Sequence, residues 1–129
     1  MPLDIGFLRQ DGTHDCRLQL QNDGCYWFLH PWFVRVQETT GRYVDLYGDA
    51  QFHESNGLSA LAHAISQART AAGTQPREWR VHTGTQLKPV PQELYDTVQR
   101  AELLKTIERF QALVEEAKSR GATLYFWGD

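Results

Sequence analysis

Leu3-Asp4-Ile5-Gly6-Phe7-Leu8, Cys16-Arg17-Leu18-Gln19-Leu20 and Cys25-Tyr26-Trp27-Phe28-Leu29-His30 are three short apolar runs, separated by Asp11-Gly12 and Asp23-Gly24. Alternation of apolar and polar residues at period two predicts strands. Asp-Gly between such runs is a two-residue hairpin signal. Counting outward from two-residue turns pairs Phe7 with Cys16, Ile5 with Leu18 and Leu3 with Leu20, then Leu20 with Trp27 and Leu18 with Leu29. Both turns place the alternating apolar residues on one face, which a slip of one residue would scatter. The expectation is a three-stranded meander whose back carries Leu8, Tyr26, Phe28 and His30, with Trp32 just beyond. An aromatic patch of this kind is a partner site if left bare and a second core layer if a helix covers it. The same register sets Cys16 opposite Pro31, too far along the sheet from Cys25 for a disulfide, so two free thiols are expected.

Working outward, Pro31 suits the first position of a helix and Gly41 its end, while Val34 and Val36 alternate as in a strand. A short helix is preferred. Arg42–Tyr47 reads as a strand with Val44 and Leu46 inward, ended by Gly48-Asp49. Ser55 and Asn56 are candidate caps for a helix near Leu58, whose buried stripe is Leu58, Leu61, Ala62, Ile65, Ala68 and Ala72. Arg77–Thr83 alternates as a strand, with Trp79, Val81 and Thr83 on one side and Arg80 and His82 on the other. Pro89 and Pro91 bracket a loop and open a helical turn over Gln92–Thr97. A long amphipathic helix follows, with Leu103, Leu104, Ile107, Phe110, Val114 and Ala117 at helical spacing and Gly121 as its C-terminal cap. Leu124–Trp127 is apolar at every position and reads as a central strand, buried on both faces.

The chain has 129 residues, 41% of them hydrophobic and 22% charged, which predicts one globular domain over 1–129. The fold class is α+β: a mainly antiparallel sheet of about six strands that starts with the meander, packed with two main helices. A net charge of −3 lacks the clustered Lys and Arg of a nucleic-acid footprint. Residues 1–64 carry four arginines against eight acids, so the N-terminal half is acidic. The absence of a long apolar run excludes a membrane-spanning helix. The opening Met1-Pro2-Leu3-Asp4 lacks a basic-then-apolar leader, and with reduced thiols this predicts a cytoplasmic protein.

Few residues stand out as chemistry. The five histidines lack HxxxH or HExxH spacing and the two cysteines lack CxxC spacing, so no metal and no cofactor is expected. Dinucleotide, P-loop and serine-hydrolase motifs are missing. Asp45 is conspicuous, because aspartate is depleted in strands. It either pairs with Arg80 or His82 on a neighbouring strand or lines a site with Tyr47 and Asp49. His82, with Thr83 and Thr85 around Gly84, either binds an anion or satisfies its own loop. The expectation is one polar cluster of Asp45, Asp49 and His82 near the ends of adjacent strands.

The run Tyr26–Gln86, with Asp45-Leu46-Tyr47-Gly48-Asp49-Ala50 and Trp79-Arg80-Val81-His82-Thr83-Gly84-Thr85-Gln86, and the closing Phe126-Trp127-Gly128-Asp129, resemble small bacterial proteins of unassigned activity. Some proteins of this general appearance are immunity proteins that bind a cognate toxin. A single domain, an acidic N-terminal half and no catalytic motif accord with that, and the expected function is a non-catalytic cytosolic binding protein whose partner is another protein, with candidate binding residues, read from the residues themselves, Asp45, Tyr47, Asp49, His82, Tyr26, Phe28 and Trp32. The alternative is a small enzyme or small-ligand binder built around Asp45, Asp49 and His82.

Overall fold

The computed structural model describes residues 3–20, 22–53, 57–87 and 89–128. The elements run β1 (Leu3–Leu8), β2 (His14–Leu20), α1 (Asp23–Thr40), β3 (Asp49–Phe52), α2 (Leu58–Gly73), β4 (Glu78–Gln86), β5 (Gln92–Gln99), α3 (Arg100–Arg120) and β6 (Leu124–Trp127). The fold is α+β with antiparallel pairing throughout. Among the described residues the strands divide into a four-stranded sheet, ordered β2-β1-β6-β3, and a separate β4–β5 ribbon.

The inner half of the first hairpin has the expected register, Leu3 opposite Leu20 and Ile5 opposite Leu18. The outer half is displaced by one residue, so that Gly6 faces Cys16, Phe7 faces Asp15 and Leu8 faces His14. The loop has three residues rather than two. Gly12 N–H donates to the Arg9 carbonyl (3.0 Å), Arg9 N–H donates to the Thr13 carbonyl (2.9 Å), and Gly12 takes φ 87°. This is a turn closed by a left-handed glycine, and the Asp11 carboxylate accepts from the Thr13 N–H and hydroxyl. The extra loop residue is offset by a β-bulge between Ile5 and Gly6 and their partners, which restores the inner register. The bulge turns Cys16 out of the core and presses the Asp15 carbonyl onto Gly6, where any Cβ would overlap it.

The expected third strand is instead the start of α1. The Asn22 side chain accepts from Gly24 N–H (2.7 Å) and Asp23 sits in the first turn, both N-terminal helix features. Cys25, Tyr26, Leu29, Phe33 and Val36 are buried at helical spacing. Cys25 therefore lies on a helix, not on a sheet face shared with Cys16, although both thiols are free as expected. Pro31 lies inside α1 rather than at its start, where it has no N–H for the Trp27 carbonyl. Gly41 ends α1 at φ 77° as expected.

Residues 42–47 form an irregular segment, with Val44 and Leu46 buried as expected, and the strand begins only at Asp49. The candidate caps Ser55 and Asn56 lie outside the described residues. Helix α2 buries Leu58, Leu61, Ala64, Ile65, Ala68 and Ala72. Helix α3 buries Leu103, Ile107, Phe110, Leu113, Val114 and Ala117 and ends on Gly121 at φ 61°. The expected helical turn over 92–97 is strand β5, which pairs along its length with β4. The two main helices expected become three, because α1 replaces the third strand.

Leu3, Ile5, Phe7, Leu18, Leu20, Phe52, Leu124 and Phe126 form the buried face of the four-stranded sheet. Phe110 of α3 packs on Phe126 (5.8 Å between centroids) and on Phe33 of α1 (6.3 Å). Helix α2 packs against α1 and α3. The ribbon lies against α1: Trp79 meets Phe28 edge-on at 5.8 Å, and Val98 comes within 2.6 Å of where a Gly24 Cβ would stand. Only glycine permits that approach.

Candidate functional site

All alternate residues of the four-stranded sheet point away from the helices. Paired residues in antiparallel strands project to the same side, so the ladders place them in rows. One row runs Gln19–Asp4–Trp127–Asp49 and the next Cys16–Gly6–Tyr125–Gln51. Asp4, Tyr125 and Trp127 are half-buried, and Cys16, Gln19, Asp49 and Gln51 are exposed. At the centre, Trp127 lies parallel to His14 (3.9 Å, 9°) and to Tyr125 (5.7 Å, 5°). His14 reaches Trp127 from two strands away across Gly6, which carries no side chain. The Gln19 amide donates to Asp4 (2.9 Å). Cys16 is held above the usual thiol range by partial burial and by Asp4.

The loop before β3 borders this face. Gly128 N–H donates to the Gly48 carbonyl (2.8 Å), and a Cβ on Gly128 would overlap the Gly48 backbone. Asp45 Oδ1 accepts from the Tyr47 N–H (2.9 Å), a local turn for which a short carboxylate is suited. Asp45, Tyr47 and Asp49 are thus brought to the end of β6, beside Trp127. Among the described residues, no lysine or arginine pairs with Asp4, Asp45 or Asp49.

His82 is not part of this group. It lies on the ribbon, where Nε2 meets the Glu93 carboxylate, which also accepts from the Thr85 hydroxyl (3.0 Å). His82 and then Thr85 hold Glu93 below the ordinary carboxylate range. The expected cluster of Asp45, Asp49 and His82 on adjacent strands is therefore corrected. Asp45 is on an irregular segment rather than a strand, and His82 belongs to the other sheet.

The expected aromatic back of a meander is corrected as well. Tyr26 is buried in α1, and its hydroxyl donates to the Val44 carbonyl (2.7 Å). Its oxygen is then left to accept from Tyr43 (3.1 Å), whose oxygen in turn accepts from His30 Nε2 (2.9 Å). This one-way chain requires the proton on Nε2 of His30, and burial holds that ring's pKa below the ordinary histidine value. Burial and the Tyr43 hydroxyl push the Tyr26 phenol well above its ordinary range. The network ties α1 to the 43–44 segment and leaves Tyr26 unable to face a partner. Phe28 and Trp32 pack on each other (5.4 Å), and Phe28 on Trp79, forming the seam beneath the ribbon.

The remaining chemistry is sparse. A cleft of ≈ 340 Å³ between the end of β2 and β5 is lined by Asn22, Cys25, Thr97 and Glu102 among others. Burial first, then Glu102 and Asp96, push the Cys25 thiol up to about 11, so it is not a nucleophile near neutrality. Among the described residues no three His, Cys, Asp or Glu side chains converge as a metal site. No helix of the described chain is long and apolar enough to cross a membrane.

No family model, curated protein or solved structure matches this chain. The site is therefore read from its own geometry. Tyr125 and Trp127 were missed in the sequence because Leu124–Trp127 is apolar at every position. The alternation that would have exposed them is in the partner strand, where Asp4 stands between Leu3 and Ile5.

Proposed function

We propose that this is a non-catalytic binding domain that engages another protein through the uncovered face of its four-stranded sheet. The observation that carries the reading is the parallel His14–Trp127–Tyr125 array on the sheet face opposite the buried one, whose described residues are half-buried or exposed apart from Gly6. Exposed aromatic surface rimmed by polar groups is the usual form of a partner site, and Trp and Tyr are the residues that most often dominate binding energy. Asp45, Tyr47 and Asp49 extend the surface at one end. The enzyme reading lacks support, because Asp45 and His82 are engaged in separate places and Cys25 is held protonated. Two free thiols are in keeping with a cytoplasmic setting. In its narrower form the partner is a cognate toxin, which this domain would neutralise by covering its active surface.

Affinity capture from the source cell tests the reading with three proteins: wild type, Trp127→Ala, and a ribbon variant Leu87→Ser/Val90→Ser. Trp127 is half-buried outside the core and Leu87 and Val90 are exposed, so all three should fold, as circular dichroism would verify. A partner retained by wild type and the ribbon variant but lost by Trp127→Ala supports the reading. Retention by Trp127→Ala, or loss only with the ribbon variant, overturns it.

A further inference from the structure

We infer that the surface which docks on this sheet face is cationic and arginine-bearing, a proposal that rests on the binding reading above. Trp127 stands between two carboxylates, Asp4 on one neighbouring strand and Asp49 on the other. A third, Asp45, is on the loop that packs against Gly128. The nearby arginines of β2 and its turn are committed elsewhere. Arg9 and Arg17 turn to Asp15 (3.6 and 2.9 Å), and Arg17 also to Glu116 (3.2 Å).

Several aromatic rings elsewhere on the molecule already have a guanidinium. Arg120 and Arg17 lie over Phe7 (4.4 and 5.3 Å), Arg80 over Tyr95 (4.4 Å) and Arg35 over Trp32 (5.9 Å). No such arginine stands over Tyr125 or Trp127 among the described residues. Among the described residues, this face sets aromatic rings beside carboxylates, and its one basic side chain at the rings is the imidazole of His14 rather than a lysine or arginine. A guanidinium meets both demands at once, since it is planar, stacks on an aromatic ring and donates a fork of N–H groups to a carboxylate. An ammonium supplies charge but cannot stack in this way, so arginine should be preferred to lysine.

The probes are capped hexa-arginine, hexalysine and hexaglutamate peptides at low ionic strength, followed by the tryptophan indole and tyrosine ring resonances of the full chain. Hexa-arginine should shift Trp127 and Tyr125 first, and hexalysine should bind several-fold more weakly. Binding should fade as salt shortens the reach of exposed charges. The double variant Asp4→Asn/Asp49→Asn removes both charges while its amide oxygen at position 4 still accepts from Gln19. It should weaken hexa-arginine binding by about tenfold, which corresponds to two lost charge-assisted contacts of modest strength. Glu115→Gln, an exposed carboxylate on α3, should leave binding unchanged. Equal binding of hexa-arginine to wild type and the double variant, shifts centred away from Trp127, or binding of hexaglutamate would overturn the inference. If hexa-arginine does not bind while Trp127→Ala still releases the captured partner, the docking face stands and its cationic preference falls. If Trp127→Ala retains the partner, the binding reading itself falls.

Discussion

The two faces of the four-stranded sheet are built from the same strands and do opposite work. One face presents Leu3, Ile5, Phe126 and Leu124 to the helices and is fully buried. The other presents Asp4, Gly6, Trp127 and Tyr125 and is left partly open. The covered face holds the fold through dry packing, where Phe110 meets Phe126 and Phe33. The open face retains large aromatic rings that the fold does not use as a core. In the binding reading proposed above, these half-exposed rings among carboxylates are the surface a partner would cover.

That contrast should be measurable as stability. Phe110 is fully buried, so Phe110→Ala should destabilise by roughly 3–5 kcal/mol in denaturant melts. Trp127→Ala removes a larger side chain, yet it should lose only about 1–2 kcal/mol, the scale of its aromatic contacts and partial burial. Equal losses would mean that the open face is structural after all. Gly6→Ala lies between, because its Cβ must displace the Asp15 carbonyl. The expected loss is about 1–3 kcal/mol, together with separation of His14 from Trp127, visible as a changed histidine ring environment.

The legible parts of this chain were those where one periodicity had no rival. Leu3, Ile5, Leu18 and Leu20 alternate with polar residues, and their register is as expected. Leu103, Ile107, Phe110 and Val114 admit only a helix. Cys25–Leu29 is apolar without interruption, so it satisfies strand and helix alike, and Asp23-Gly24 serves equally as a hairpin turn or a helix start. Asn22 decided it by capping Gly24. Pro91 ahead of Gln92 suggested a helix, but pairing with β4 along the whole ribbon imposed a strand. Of the candidate site, Asp45, Tyr47 and Asp49 were visible as polar residues in an apolar stretch. Trp127 and Tyr125 were not, since only the tertiary arrangement shows which face of β6 lacks a cover.

Smaller effects sharpen the same division. Removing the Tyr26 hydroxyl (Tyr26→Phe) leaves the Val44 carbonyl without its donor and should lower stability by about 1 kcal/mol. Burial also makes the fold sensitive to alkali. Cys25 is raised from 9.0 to about 11, so between those values the native thiol keeps its proton while the unfolded one loses it. The unfolded state then binds fewer protons, and stability falls with rising pH. Melting temperature should decline from pH 9 to 11, less steeply in Cys25→Ala. A flat profile for the wild type would contradict the burial of both Cys25 and Tyr26. With a thiol reagent near neutrality, Cys16 on the open face should react in the native protein, more slowly than a free thiol because its pKa is raised, and Cys25 only on unfolding. Two equally fast thiols would place Cys25 outside the core.

The central claim, that the open sheet face is the binding surface, is tested most directly by hydroxyl-radical footprinting of the protein with and without its captured partner. Trp127 and Tyr125 should lose most of their oxidation in the complex, while Tyr95 on the ribbon, 44% exposed, keeps its own. Protection of Tyr95 and Leu87 with Trp127 and Tyr125 unchanged would contradict the account.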